Sequence, residues 1–191
     1  MPVLRHGMRF LKELTALLSC DPVRMAVLRT VRSLDLPDSW VGAGFVRDAV
    51  WDHLHGYANR TIEGDVDVVW FDDGALSPEL DRELERRLSL VDPAFKWSVK
   101  NQARMHLRNG DAAYTSVSQA MSYWPETATA VAARIGDDGR LHINAPLGLD
   151  DLYAMHLRPT QMFISARRCI FDQRVKEKRW LERYPLLRIV P

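Results

Sequence analysis

With 191 residues, 47% of them hydrophobic and 27% charged, the chain is long enough to bury one sizeable core, and one domain over 1–191 is expected. Its 26 Lys plus Arg against 25 Asp plus Glu leave a net charge of +1, which excludes a bulk pull toward nucleic acid or anionic membrane and makes any polyanion contact local. Only Cys20 and Cys169 occur, far apart and outside any Cys/His cluster, which argues against a disulfide framework or a zinc site and fits a reducing cytoplasm.

The opening MPVLRHGMRFLKELTALLSC breaks its apolar run at Lys12 and Glu13, short of the about 20 apolar residues a membrane span needs, and reads as a helix. Asp21-Pro22 has cap-plus-proline chemistry, and Val23, Val27, Leu28, Val31 and Leu34 follow at helical spacing. Trp40-Val41 then leads through Gly42-Ala43-Gly44 into Phe45, Val46, Ala49, Val50, Trp51 and Leu54: a strand, a tight turn, and a helix ending near Gly56. A loop over Tyr57–Gly64 precedes the strand Asp65–Phe71, rich in β-branched and aromatic residues.

Ser77-Pro78 opens a helix with the stripe Leu80, Leu84, Leu88, and Phe95–Val99 reads as the next strand. Thr129–Ile135 and Leu141–Ile143 flank Asp137-Asp138-Gly139 as a hairpin, and Gly148–Leu157 and Phe163–Leu181 read as two closing helices. Crossover helices between strands imply α/β layering. The expected layout is N-terminal helices over 1–38, a core over 39–145 and C-terminal helices over 146–191.

Strand side chains alternate, so Asp65 and Asp67 share one face while Val66 and Val68 take the other. Two carboxylates in one small space repel unless a divalent cation lies between them, and oxygen-only ligands favour Mg²⁺ or Mn²⁺, completed by substrate phosphates. The alternative is a pair of strand-start aspartates that cap turns. Gly42 and Gly44 let backbone approach a ligand, and the helix beginning near Phe45 offers unpaired N–H groups to a phosphate. Arg47 is a candidate phosphate clamp and Asp48 a loop-orienting group, against the alternative of a helix-surface ion pair.

At this point the run WVGAGFVRDAV followed by GDVDVVWFD resembles the signature of the DNA polymerase β-type nucleotidyltransferase superfamily. Its GFVRD portion is most like bacterial tRNA CCA-adding enzymes and poly(A) polymerases, with Ala43 where Gly or Ser is usual. WSVKNQARMH (97–106), SYWPETATAVAARI (122–135) and APLGLDDLYAMHLRP (145–159) further resemble a bacterial family of nucleotidyltransferase-like proteins of about this length. The resemblance implies a nucleotidyltransferase fold of α/β (α+β) type, a mixed central sheet flanked by helices, and metal-dependent transfer from an NTP substrate. It does not name the acceptor.

Superfamily members often carry a third carboxylate on the strand that corresponds to Phe95–Val99, and none stands there. Glu126 and Asp111 are the remaining candidates for a third catalytic carboxylate. Lys100, Asn101 and Arg104 form a polar cluster read as nucleotide-binding, and His106 is set down as structural rather than as a general base. Trp97, Tyr123 and Trp124 would stack a base or fill the core. The last helix gathers Arg167, Arg168, Arg174, Lys176, Lys178, Arg179 and Arg183; it reads as a solvated amphipathic face, with nucleic acid the less favoured partner. A fold-retaining nucleotide or RNA binder without turnover is the rival reading.

Overall fold

The computed structural model describes residues 3–58 and 61–191, with side chains from Gly7 onward. Two residues of the loop expected over Tyr57–Gly64, Asn59 and Arg60, lie outside that description. Helix α1 (Val3–Ser19) runs into α2 (Pro22–Arg32), which starts as its chemistry dictates: the Asp21 carboxylate accepts from the Arg24 amide at 2.9 Å and Pro22 fills the first turn. Strand β1 (Trp40–Gly42) turns at Ala43 into α3 (Gly44–Leu54), and β2 (Asp65–Trp70) follows. Helix α4 (Pro78–Val91), capped by Ser77, crosses to β3 (Lys96–Asn101) and buries Leu84 and Leu88 as its stripe requires.

Two short helices, α5 (Met105–Asn109) and α6 (Val117–Ser122), lead to the hairpin of β4 (Ala132–Ile135) and β5 (Leu141–Asn144). The sheet order is β3-β2-β1-β4-β5; only β2 and β3 are parallel, so the sheet is mixed. The parallel pair is the one joined by the long crossover helix α4.

The period-2 pattern assigns the faces. Val41, Val66, Val68, Trp97, Val99 and Ala133 join the main core beneath the helices, a cluster that runs from Leu14 to Leu187. On the other face Trp40, Val69 and Ala132 pack against Val117 and Met121 of α6 in a smaller cluster. That second face is covered only in part, and the start of β2, where Asp65 and Asp67 stand, faces outward from it.

Three expected elements are shorter or broken. Thr129 belongs to a 3-10 turn over Thr127–Thr129, so the strand begins only at Ala132. The helix expected over 148–157 is one turn, α7 (Asp150–Tyr153), because Met155 adopts φ 58° and sends His156–Leu157 (β6) into a parallel pair with Arg188–Ile189 (β7). The helix expected over 163–181 divides into α8 (Arg168–Glu177) and α9 (Trp180–Arg183) at Arg179, φ 50°, which turns Trp180 inward to 2% exposure. Among the described residues no helix is long and apolar enough to cross a membrane.

Candidate active site

The turn and the carboxylates, 23 positions apart in sequence between Gly42 and Asp65, are neighbours in the sheet. Gly42 on β1 sits opposite Asp67 on β2, and Ser98 on β3 sits opposite Asp67 from the other side. Asp67 thus lies mid-sheet beside the N-terminus of α3, while Asp65, two residues back on the same face, is more exposed. Burial raises the Asp67 carboxyl above the ordinary range, and Asp65 adds to that; a hydrogen bond from Ser98 and the positive charges of Lys178 and Arg47 oppose it. Asp65 is held at 2.8 Å by Lys96, its register partner, in a pair exposed on both sides and therefore weak enough for a multivalent cation to displace.

The turn itself is built differently from its sequence reading. Ala43, not either glycine, takes the left-handed φ of 54°, with ψ −125°. At Gly42 space is tight: a Cβ there would meet Trp124 at 3.1 Å and the Ala132 Cβ at 3.3 Å. At Gly44 a Cβ would make ordinary contacts at 3.5 Å or more. Helix α3 has no side-chain N-cap, and its first turn opens beside the carboxylates. Ala43, Asp67, Ser98, Lys100, Trp124 and Arg174 are among the residues lining one cleft of about 330 Å³, within the range of small-ligand sites.

Several expected ligand-binding side chains are already committed elsewhere. Arg47 is 6% exposed, stacked between Trp51 and Trp180 at 4.8 and 4.6 Å, and donates to Asp48 at 2.9 Å and to the Thr129 hydroxyl at 3.0 Å. Asp48 is buried between Arg47 and Arg183. Both hold the floor of the turn in place.

Asn101 is fully buried; its amide donates to the Asp72 and Ala75 carbonyls and its oxygen accepts from Ala103, so its polar atoms are held within the fold. Arg104 pairs with the buried Asp81, whose carboxylate also accepts from Trp70 and the Asn101 amide; it lines a neighbouring groove rather than the cleft. Lys100 does line the cleft, with its ammonium 2.5 Å from Glu85.

Neither candidate third carboxylate stands with the pair. Glu126 has no exposure and its two oxygens take Arg174, at 2.8 and 3.4 Å; its charge neutralises that guanidinium instead of a metal beside Asp67. Asp111 is buried against Arg167 at 2.8 Å and accepts from Tyr114. His106 donates from Nδ1 to the Ala103 carbonyl, Trp97 is core, and Trp124 is the aromatic that reaches the cleft. Sequence reasoning passed over Ser98 and Lys96. The signal was present in the alternation Lys96, Ser98, Lys100 along β3, but the register that sets Ser98 against Asp67 was not.

A family model described as nucleotidyltransferase matches residues 29–189. A structure solved by NMR, described as revealing a CCA-adding enzyme head domain, is 34% identical, covers 94% of this chain and 95% of its own, and superimposes with a TM-score of 0.84. A CCA-adding enzyme in complex with CTP is 16% identical over 95% of this chain, with a TM-score of 0.58, and the Thermotoga maritima CCA-adding enzyme complexed with tRNA is 17% identical with a TM-score of 0.56. This chain spans 43% and 42% of those two longer proteins, whose likeness is one of fold. A comparison with curated proteins gives no significant match. The strand-paired Gly42 and Asp67, the matched span and the 34% relative agree, and the chain belongs to this nucleotidyltransferase family.

Proposed function

We propose that the protein transfers a nucleoside monophosphate from an NTP to an acceptor hydroxyl, with release of pyrophosphate, in the cleft over β1, β2 and β3, and that residues 1–191 act as one nucleotidyltransferase unit. The observation that carries this reading is the register Gly42–Asp67–Ser98, beside which α3 begins without a cap. Asp65 and Asp67 fit a hard divalent cation, Mg²⁺ or Mn²⁺: they are oxygen donors on one strand face. No group of three or more acidic, His or Cys side chains stands with them among the described residues, so phosphate and water oxygens would complete the shell. Such an ion would supply Lewis-acid stabilisation of the charge that develops on the phosphoryl oxygens.

The chain's own residues do the rest. The free amides at the start of α3 face the phosphates, and the Gly42–Gly44 turn keeps side-chain bulk out of their way. Arg47 acts at one remove, tying the first turn of α3 to Thr129 through its hydrogen bond. Trp124, seated on Gly42, offers a face on which a base can stack. CTP in one relative and tRNA in another support an NTP donor and make RNA one acceptor class to screen.

The rival reading, nucleotide binding without turnover, has one observation in its favour. The β3 position opposite Asp67 is Ser98, not a carboxylate. Pyrophosphate release separates the two. With Mg²⁺ and each of the four ribonucleoside triphosphates over a panel of acceptors, wild type should release pyrophosphate, and Asp65→Ala/Asp67→Ala should lose about a thousandfold, the equivalent of ~4 kcal/mol of transition-state stabilisation. Metal-dependent binding by calorimetry with no release under any metal or acceptor would favour the rival.

A further inference from the structure

A triphosphate brings several negative charges into this cleft, and one divalent ion offsets only part of them. The cations expected to meet it are taken: Arg47 by Asp48 and two indoles, Lys100 by Glu85, Arg104 by Asp81, Lys96 by Asp65. Arg174 is different. It lines the same cleft as Asp67 and Ala43, is one-third exposed at its side chain, and, although Nε and Nη2 pair with Glu126, its Nη1 has no partner among the described residues.

Glu126 explains the placement. A carboxylate with no exposure, anchored by the Pro159 bridge and the 3-10 turn that follows it, is a fixed counter-charge that sets the guanidinium in one orientation. Lys178 lies one turn beyond Arg174 on the same side of the helix, its amide bonded to the Arg174 carbonyl at 2.9 Å, and it is exposed.

We propose that α8 supplies the triphosphate grip of the cleft, with Arg174 and Lys178 as the anion-binding pair and the buried Glu126 as the positioning residue that holds Arg174 for it. The inference rests on the nucleotide reading of the cleft given above. It converts the basic excess of the closing helix from a solvated face into part of the site, and it gives Glu126 a purpose other than metal ligation.

The test uses tripolyphosphate as the probe, titrated with Mn²⁺ into the full chain, alongside an NTP and the corresponding nucleoside. Lys178→Ala, an exposed change, and Arg174→Lys, which keeps the charge and loses the fork, should each weaken tripolyphosphate and NTP by about tenfold, the loss of one charge-assisted contact. Glu126→Gln/Arg174→Gln removes the buried charge together with its partner and should do the same with the melting transition retained. Glu126→Gln alone should weaken tripolyphosphate while Mn²⁺ binding, read by electron paramagnetic resonance, stays as in wild type. A purely structural role would leave the ratio of triphosphate to nucleoside affinity unmoved.

Wild-type affinity for tripolyphosphate in all four folded variants would overturn the α8 grip, and so would its loss only in Arg108→Ala, since Arg108 is the other arginine that lines the cleft. If Asp65→Asn/Asp67→Asn abolishes binding while the α8 variants do not, the cleft reading stands and this inference falls. If wild type binds neither NTP nor tripolyphosphate, both fall.

Discussion

Ala43 is the residue where local geometry and residue type conflict most openly. An alanine at φ 54°, ψ −125° sits in a region that L side chains rarely visit, at a cost of about 1–3 kcal/mol. The strain persists because the backbone on both sides is fixed. The Ala43 amide donates to the Val131 carbonyl at 3.0 Å, and its own carbonyl accepts from Val46 and Arg47 as α3 begins. Ala43→Gly relieves the strain and loses about 0.5–1 kcal/mol to the greater freedom of the unfolded chain, so it should leave stability unchanged or raise it by up to about 2 kcal/mol. Urea denaturation at matched m-value reads the difference; a destabilised Ala43→Gly would mean that the alanine methyl makes contacts worth more than the strain. Gly42→Ala has the opposite sign. Its methyl would press on Trp124 at 3.1 Å, so the indole must shift, at about 1–3 kcal/mol.

Among the elements, those whose cue is local were legible and those set by a distant partner were not. The Asp21-Pro22 and Ser77-Pro78 starts, the Asp137-Asp138-Gly139 hairpin and the Asp65–Trp70 strand each announce themselves within a few residues, and each is found. The C-terminal third is decided from outside. Residues 163–181 have helical content enough for one helix, yet Trp180 gains more by leaving that axis to cover Arg47 and meet Trp51 edge-on at 6.1 Å.

The site divides the same way. That Asp67 and the Gly42–Gly44 turn meet was legible, because the strand, turn, helix and strand that bring them together each carry a local cue. The internal partners of Arg47, Asn101 and Arg104 were not legible, because a sequence does not disclose that Trp180, Ala75 and Asp81 occupy them. Trp180→Ala should therefore cost about 3–5 kcal/mol and, by freeing Arg47, also weaken nucleotide binding. The same truncation at Leu181, 42% exposed on the next position of α9, should cost little, and chemical denaturation of the two variants compares them directly. Equal losses would mean that α9 docks through its backbone and not through the indole.

At the scale of the whole molecule, the core joins the first helix to Leu187 beside the last strand, and its polar pegs carry a titration signature. Tyr184 is fully buried where α9 meets α3 and donates its hydroxyl to Asp52 at 2.9 Å; burial first, and the negative charges of Asp48 and Asp52 after it, push its ionisation above the usual phenol value of 10.0. Tyr153 is raised too, chiefly by burial against the first helix, where Phe10 stacks on it at 4.4 Å. Tyr114, hydrogen-bonded to Asp111 and almost wholly buried, is pushed up to about 12. In each case the folded chain holds a proton that the unfolded chain releases at its ordinary value. The unfolded state thus binds fewer protons above pH 10, and stability must fall as pH rises from there through the folded values. The urea midpoint should hold up to about pH 9.5 and decline between pH 10 and 12, with the slope reduced in Tyr184→Phe, which has no proton to lose. A wild-type midpoint that stays flat across that window would show that these phenols ionise in the folded state, and the contact between the closing segment and α3 would then rest on packing without the Tyr184 to Asp52 hydrogen bond.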